Sequence, residues 1–180
     1  MNKLRDRRGL MQTLLTAAQI AARVEQLGVQ LTRDYQQQPL LVIGVLHGSI
    51  VFVADLIRAI STPHQLGFVQ ASSYRGCATA PDELRLQLDA LPDLTGRRVL
   101  LVDDILDTGR TLSALKVKLC ERGPADVRTA VLLWKRDRTE TELSPDYFGF
   151  EIPDRFVVGY GLDYNGDFRH LPFIGTLDAS

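Results

Sequence analysis

Apolar residues recur at Ile20, Val24, Leu27 and Leu31, the spacing of one face of an α-helix. Thr16 stands ahead of that face with Gln19 three residues on, the arrangement of a capping box, so the helix is predicted to start there. The pattern then changes. Residues Pro39 to Leu46 (PLLVIGVL) are apolar without interruption, as in a strand covered on both faces. This run meets His47-Gly48-Ser49 and then a helix rich in Val, Phe, Ala and Leu, extending to about Ile60. Leu66 to Ser73 (LGFVQASS) is a second strand candidate. Tyr74 to Glu83, broken by Gly76 and Pro81, reads as a loop, and Leu84 to Leu88 alternates like a strand with one exposed face.

Leu94-Thr95-Gly96 turns the chain into a further strand, Val99 to Val102. The helix after it has Leu112, Leu115 and Leu119 on its buried face, with Cys120 expected on the same side, and Gly123-Pro124 stops it. Val127 to Trp134 is the next strand. Strand, helix and strand in this order form a βαβ unit, and the earlier portion forms another. The fold class is therefore α/β, an open, mostly parallel twisted sheet flanked by helices. The stretch from Asp146 onward, rich in aromatics, Pro and Gly, reads as a small loop-rich hood contributed largely by residues 146–180.

Composition narrows the class without changing this picture. The 180 residues, 45% hydrophobic and 24% charged, suit a single globular domain. A net charge of −1 offers no surface for coating nucleic acid, so no nucleic-acid partner is expected. Cys77 and Cys120 show no metal spacing, and a reducing compartment without a disulfide is the simplest reading. The basic start, MNKLRDRRGL, is followed by MQTLLTAAQIAA, where Gln12, Thr13, Thr16 and Gln19 interrupt any signal-peptide core. Residues 1–12 are expected to be a basic tail on a cytoplasmic protein with no membrane partner.

Chemistry concentrates in Val99 to Leu112, VLLVDDILDTGRTL. Ligands of open α/β sheets bind beyond the carboxyl ends of the strands, where Asp103 and Asp104 stand. Thr108, Gly109, Arg110 and Thr111 then turn into a helix whose free N–H groups suit a phosphate. A sugar phosphate has both complementary parts: a phosphate for the turn and vicinal hydroxyls for the acids. Asp107, between the two, is placed to be a general base. Helix capping accounts for one or two such acids and not for the whole D-D-x-x-D-T-G-R-T array.

That array resembles the phosphoribosyl-pyrophosphate motif of the type I phosphoribosyltransferases. FGFEIPDRFVVGYGLDYNGDFRHLPFIGTL, in turn, resembles the hypoxanthine (hypoxanthine-guanine) branch of the family. The resemblance implies purine salvage: a 6-oxopurine and phosphoribosyl pyrophosphate give IMP or GMP and pyrophosphate, with Mg²⁺ as cofactor. It implies that Asp103 and Asp104 hold the ribose hydroxyls, directly or through metal-bound water, and that Asp107 takes the purine N7 proton. Residues Thr108, Gly109, Arg110 and Thr111 would cradle the 5-phosphate. Lys135 would donate to the purine O6, Phe156 would stack on the base, and Val157 would offer backbone groups to its edge. Asp163 would bind Mg²⁺ at the purine end, and Arg169 would bind pyrophosphate. Ser73 and Tyr74 match the start of a mobile lid. The family forms homodimers or homotetramers.

Alone, several of these residues have plainer readings: Lys135 as an exposed lysine, Phe156 as core, Asp163 as a turn residue, Arg169 as a surface arginine. Two other functions compete with transfer. A regulatory relative sensing phosphoribosyl pyrophosphate or nucleotide would keep the acidic motif but leave the purine-end residues unexplained. A receiver domain shares acids at a strand end but has no use for Asp107 to Thr111.

One position departs from the family pattern. The loop after the first apolar strand carries His47-Gly48 where Lys or Arg before Gly is usual; its backbone is expected to contact pyrophosphate, often through a non-proline cis peptide. A histidine there changes charge near neutral pH. Binding of phosphoribosyl pyrophosphate should therefore depend more steeply on pH than in His47→Lys. Titration calorimetry across pH 6 to 8 checks this, and equal dependence in the two proteins counts against it.

Overall fold

Thr16 opens the first helix as its spacing predicts. Its hydroxyl accepts from the Gln19 N–H at 3.3 Å, and Gln19 Oε1 accepts from the Thr16 N–H at 2.9 Å. The computed structural model describes residues 11–36, 38–74 and 83–177. In chain order these form β1 (Met11–Leu15), α1 (Ala17–Tyr35), β2 (Leu40–Leu46), α2 (Ile50–Ala59), β3 (His64–Tyr74) and β4 (Glu83–Gln87). The remainder are β5 (Arg98–Leu106), α3 (Arg110–Cys120), β6 (Asp126–Trp134), β7 (Tyr147–Glu151), β8 (Val157–Val158) and β9 (Ile174–Leu177). A short 3₁₀ turn, Arg136–Arg138, follows β6.

Six strands form the main sheet in the order β4-β3-β2-β5-β6-β7. All neighbours are parallel except β4, which runs antiparallel to β3 at one edge. The uninterrupted apolar runs are explained by layers on both faces. Leu40 and Val42 pack with Ile20, Leu27 and Leu31 of α1 and with Phe52 and Leu56 of α2. Leu41, Ile43 and Val45 pack on the other face with Leu112, Leu115 and Leu119 of α3. Two-residue alternation along a strand thus serves two cores.

The structure corrects five details of the sequence reading. β5 does not stop at Val102; pairing with β6 carries it through Leu106, so Asp103 and Asp104 belong to the strand itself. Cys120 is exposed, because it lies about 100° around the helix from Leu119, which faces the core. The hood is not simply residues 146–180: Tyr147–Glu151 forms the edge strand β7 of the main sheet, paired with β6. Met11 and Gln12, assigned to the basic tail, begin β1, which joins β9 and β8 in a separate three-stranded sheet. Tyr74 and Glu83, expected in a loop, pair with one another as the last residue of β3 and the first of β4, and Ser73, which the resemblance placed at the start of the lid, pairs with Leu84. The remainder of the expected lid, Arg75 to Pro81, lies outside the described residues, as do Cys77 and the basic stretch 1–10.

α1 crosses α2 closely at Gly28, where an added Cβ would lie 2.4 Å from the Ala59 Cβ and 2.5 Å from its carbonyl oxygen. Alanine is otherwise favoured over glycine inside a helix. Here overpacking wins, and Gly28→Ala should destabilise the protein by about 1–3 kcal/mol. The urea midpoint measures it; an unchanged or higher midpoint contradicts this packing argument.

Candidate active site

Strand order reverses between β2 and β5, because the chain leaves β2 for β3 on one side and returns to β5 on the other. Such a switch point opens a crevice at the carboxyl ends of the two strands. A cleft of about 240 Å³ lies there, lined by Val45, Leu46 and Gly48 from one side and by Asp103, Asp104, Asp107, Thr108, Gly109 and Thr111 from the other. Two sequence segments far apart in the chain therefore form one site.

Asp103 and Asp104 are held by the strand backbone. Asp103 Oδ1 accepts from the Asp104 N–H at 2.9 Å, and Asp104 Oδ1 accepts from the Ile105 N–H at 2.8 Å. Burial raises the Asp103 carboxyl well above the ordinary aspartate range, and the adjacent Asp104 charge adds to this. Burial also raises Asp104, with hydrogen bonds from Asp103 and the backbone, and the charge of Arg169, acting in the opposite direction.

The Leu46–His47 peptide is cis, as the resemblance implies for this loop, and the His47 side chain is exposed. Gly48 lies directly against the acids: a Cβ there would come 1.7 Å from Asp104 Oδ2. From the other side, a Cβ on Gly161 would stand 2.1 Å from the Gly48 carbonyl oxygen. The loop is thus sandwiched between Asp104 and the segment after β8. Arg169 secures that segment, donating to the Gly161 carbonyl at 2.6 Å and pairing with Asp163 at 2.8 Å. The other Asp163 oxygen accepts from the Gly166 N–H at 2.8 Å, so Asp163 also closes a turn.

Gly109, at φ 84°, occupies the N-cap of α3, and no side chain caps that helix. The acids and threonines do not play the capping role that is their plainest reading, and the first-turn N–H groups stay available beside the cleft. Thr108 and Thr111 line it. The Arg110 side chain points elsewhere: it is 73% exposed and pairs with Glu140 at 2.7 Å. Arg110 therefore adds its backbone to this turn while its charge is spent on Glu140.

Beyond Asp107, the carboxyl end of β6 supplies Lys135, whose side chain is only 7% exposed. Its plain reading as a surface lysine is excluded. The Lys135 N–H donates to the Leu106 carbonyl at 2.9 Å, which seats it beside the end of β5. Its Nζ stands 3.0 Å from Asp154 Oδ1 and 3.7 Å from Asp107 Oδ2. Arg138 Nε lies 2.8 Å from Asp107 Oδ1, and Arg138 Nη1 donates to both Asp154 oxygens. Arg138 and Asp154 escaped the sequence reading. The only signal was the position of Arg138 in the Lys135-Arg136-Asp137-Arg138 run, and Asp154 carried none.

Phe156 is 50% exposed, too open for a core aromatic, and meets the Tyr164 ring edge-on at 5.5 Å between centroids. Val157 is buried and pairs with Thr176 in the small sheet. Ser73 and Tyr74 end β3, paired with Leu84 and Glu83 of β4. Among the described residues no helix is long and apolar enough to cross a membrane.

Paired acids at a switch point, an uncapped helix start and a glycine loop packed on those acids define the phosphoribosyltransferase class. The chain belongs to that family: the model described as the phosphoribosyl transferase domain matches residues 11–165. Within it, the chain is 44% identical over 175 residues to the hypoxanthine-guanine phosphoribosyltransferase of Mycobacterium tuberculosis, covering 94% of this chain and 87% of that one. The crystal structure of a Staphylococcus aureus hypoxanthine phosphoribosyltransferase is similar at a TM-score of 0.89 and 40% identity, covering 98% of this chain and 96% of that one. A Bacillus anthracis hypoxanthine-guanine phosphoribosyltransferase structure is similar at 0.84 and 39% identity, covering 92% and 96%. The regulatory reading gains no support from these relatives.

Burying Asp103 opposes its ionisation, and this has a consequence for stability. A carboxyl raised in the folded state binds its proton more tightly than in the unfolded chain. Folding stability therefore falls as pH rises from the unfolded value, about 3.9, through the folded one. Asp103→Asn should remove that loss, giving a higher unfolding free energy than wild type at pH 7 and no advantage below about pH 4. Urea unfolding at the two pH values measures it, and a less stable variant at pH 7 contradicts the argument.

Proposed function

We propose that the protein is a purine-salvage enzyme. It transfers the 5-phosphoribosyl group of phosphoribosyl pyrophosphate to N9 of hypoxanthine or guanine, releasing pyrophosphate and giving IMP or GMP. The observation that carries this reading is the placement of Lys135 Nζ beside Asp107 Oδ2, at the purine-facing end of the acidic cleft. One group donates and the other accepts, the pair that a 6-oxopurine needs at O6 and N7. Adenine carries an amino group at that position, which cannot accept from the Lys135 ammonium and would set one donor against another, a costly mismatch in a buried site.

In this reading Asp103 and Asp104 face the ribose hydroxyls. The N–H groups and hydroxyls of Thr108, Gly109, Arg110 and Thr111 hold the 5-phosphate. His47 and Gly48 contact pyrophosphate through their backbone, with Arg169 adding charge. The bond from the anomeric carbon to pyrophosphate breaks as N9 forms the new one. Asp107 accepts the proton from N7, and acids beside the ring favour the positive charge developing on the ribose. Phe156 covers the base, Val157 offers backbone groups to its edge, and the segment beginning at Ser73 and Tyr74 serves as the lid.

Mg²⁺ suits this donor set. It takes oxygen ligands and is commonly held by one or two carboxylates together with substrate phosphates. Among the described residues no three His, Cys, Asp or Glu side chains gather as a cation cage, so substrate oxygens would complete the shell. Asp163 would hold Mg²⁺ at the purine end, and Asp103 and Asp104 would hold it at the ribose, directly or through water. When bound, it neutralises the departing pyrophosphate. Our reading also places the enzyme in the cytoplasm as a homodimer or homotetramer.

Purified protein with Mg²⁺ and phosphoribosyl pyrophosphate, offered hypoxanthine, guanine, xanthine and adenine separately, tests the proposal. Mononucleotide should form with the first two and not with adenine. Asp107→Asn should lower kcat by about 10² to 10⁴, and chelation of Mg²⁺ should stop turnover. Binding of phosphoribosyl pyrophosphate without turnover of any purine would return the regulatory reading.

A further inference from the structure

Four charges meet at the purine-facing end of the cleft, and only two of them have a role so far. Lys135 and Asp107 close one side of the group; Arg138 and Asp154 close the other. Around this ring, cation and carboxylate alternate, so the formal charge sums to zero. The allocation of oxygens is uneven. Arg138 stands on Asp107 Oδ1 at 2.8 Å, which leaves Asp107 Oδ2 turned toward Lys135 Nζ at 3.7 Å. Arg138 is in turn fastened by two hydrogen bonds, of 3.0 and 3.1 Å, to the two oxygens of Asp154.

Backbone geometry supports this placement. The Arg138 N–H donates to the Lys135 carbonyl at 3.0 Å, closing the 3₁₀ turn that brings both cations to the same carboxylates. Thr139 follows, with its hydroxyl accepting from Trp134 Nε1 at 3.1 Å and within reach of the Asp107 and Lys135 carbonyls at 3.3 and 3.1 Å. The turn is therefore tied to the ends of both β5 and β6.

On a 6-oxopurine, O6 and N7 project from the same edge of the ring. A donor to O6 and an acceptor for the N7 proton must stand side by side without collapsing onto one another. Lys135 and Asp107 are opposite charges, and alone they would close into a direct ion pair that withdraws both from the base. Arg138 and Asp154 supply each with a competing partner of the right sign. We propose that Arg138, seated by Asp154, is a positioning residue for this transfer: it holds the Asp107 carboxylate apart from Lys135 so that both face the purine. This inference rests on the function proposed above.

Stability is a poor explanation for the clamp. Arg138 and Asp154 are 47% and 50% exposed, and ion pairs so open to solvent contribute little to folding. Arg138→Met should accordingly fold with an unchanged melting temperature. Its kcat/KM for hypoxanthine should fall about ten- to a hundredfold, while the KM for phosphoribosyl pyrophosphate stays within about twofold, since the Arg138 guanidinium is engaged by the Asp107 and Asp154 carboxylates. Arg138→Lys should recover part of the loss, because an ammonium keeps the charge but cannot span both carboxylates. In an Asp107→Asn background, the same Arg138→Met change should have no further effect.

Steady-state kinetics on wild type and these variants, with Asp107→Asn as the reference for the double variant, decide the matter. An unchanged kcat/KM for hypoxanthine in Arg138→Met overturns the positioning role. So does a loss shared equally by both substrates with a lowered melting temperature, or one that persists in full without the Asp107 carboxylate. If wild type itself turns over no purine, the proposed function fails and takes this inference with it. If wild type is active and Arg138→Met is silent, only the positioning role fails.

Discussion

The parallel ladder between β2 and β5 is the constraint on which the rest of the molecule depends. It runs from Leu40 opposite Arg98 to Gly44 opposite Val102 and is buried on both faces. Each fully buried Leu, Val or Ile in such a ladder contributes about 1.5–3 kcal/mol of burial, enough to hold its register against unfavourable groups at its end. The unfavourable groups follow at once: Asp103 and Asp104 continue β5 into the cleft, and the loop at Gly48 continues β2 against them. The carboxyls are desolvated because the strand that carries them is anchored in the core. Stability is concentrated in the apolar body of the sheet so that the acids can be held where solvent would otherwise relax them.

A second set of contacts ties the hood to this frame. Arg169 fastens Gly161 over Gly48, while the Tyr160 hydroxyl donates to Asp55 on α2, the helix that follows the same loop. At the opposite edge, Arg23 of α1 donates to the carbonyls of Phe148 and Gly149, securing β7. The small sheet also joins the two ends of the described chain, since β1 pairs with β9. The cleft is accordingly bounded by parts of the chain remote from one another in sequence, each linked to a helix or strand next to the switch point.

Elements were legible where their cause is local. The capping box of Thr16 and Gln19, the helical apolar face of α1 and the apolar run of β2 need no distant partner to be read. Reading failed where pairing overrides composition. Acids ended the apparent strand at Val102, yet β6 pairs with Asp103, Ile105 and Leu106 and extends it. Tyr147 to Glu151 looked like part of a loop-rich tail, yet an open edge on β6 makes it a strand. Cys120 shows a finer limit: one residue after a buried leucine is enough to leave the core face of a helix.

The sequence by itself determined the kinds of chemistry present: paired acids, a phosphate-binding turn, a base candidate and a lysine after an apolar strand. These follow from residue type and short spacing, which act within a turn or two of the backbone. Only the tertiary structure decided which of those groups meet. It directed the Arg110 charge to Glu140 and away from the cleft, buried Lys135, and recruited Arg138 and Asp154, which no local pattern distinguished. The reason is that charge pairing depends on distance through space. Two carboxylates from separate loops reach one lysine only after β5 and β6 have aligned and the 3₁₀ turn has closed beyond them.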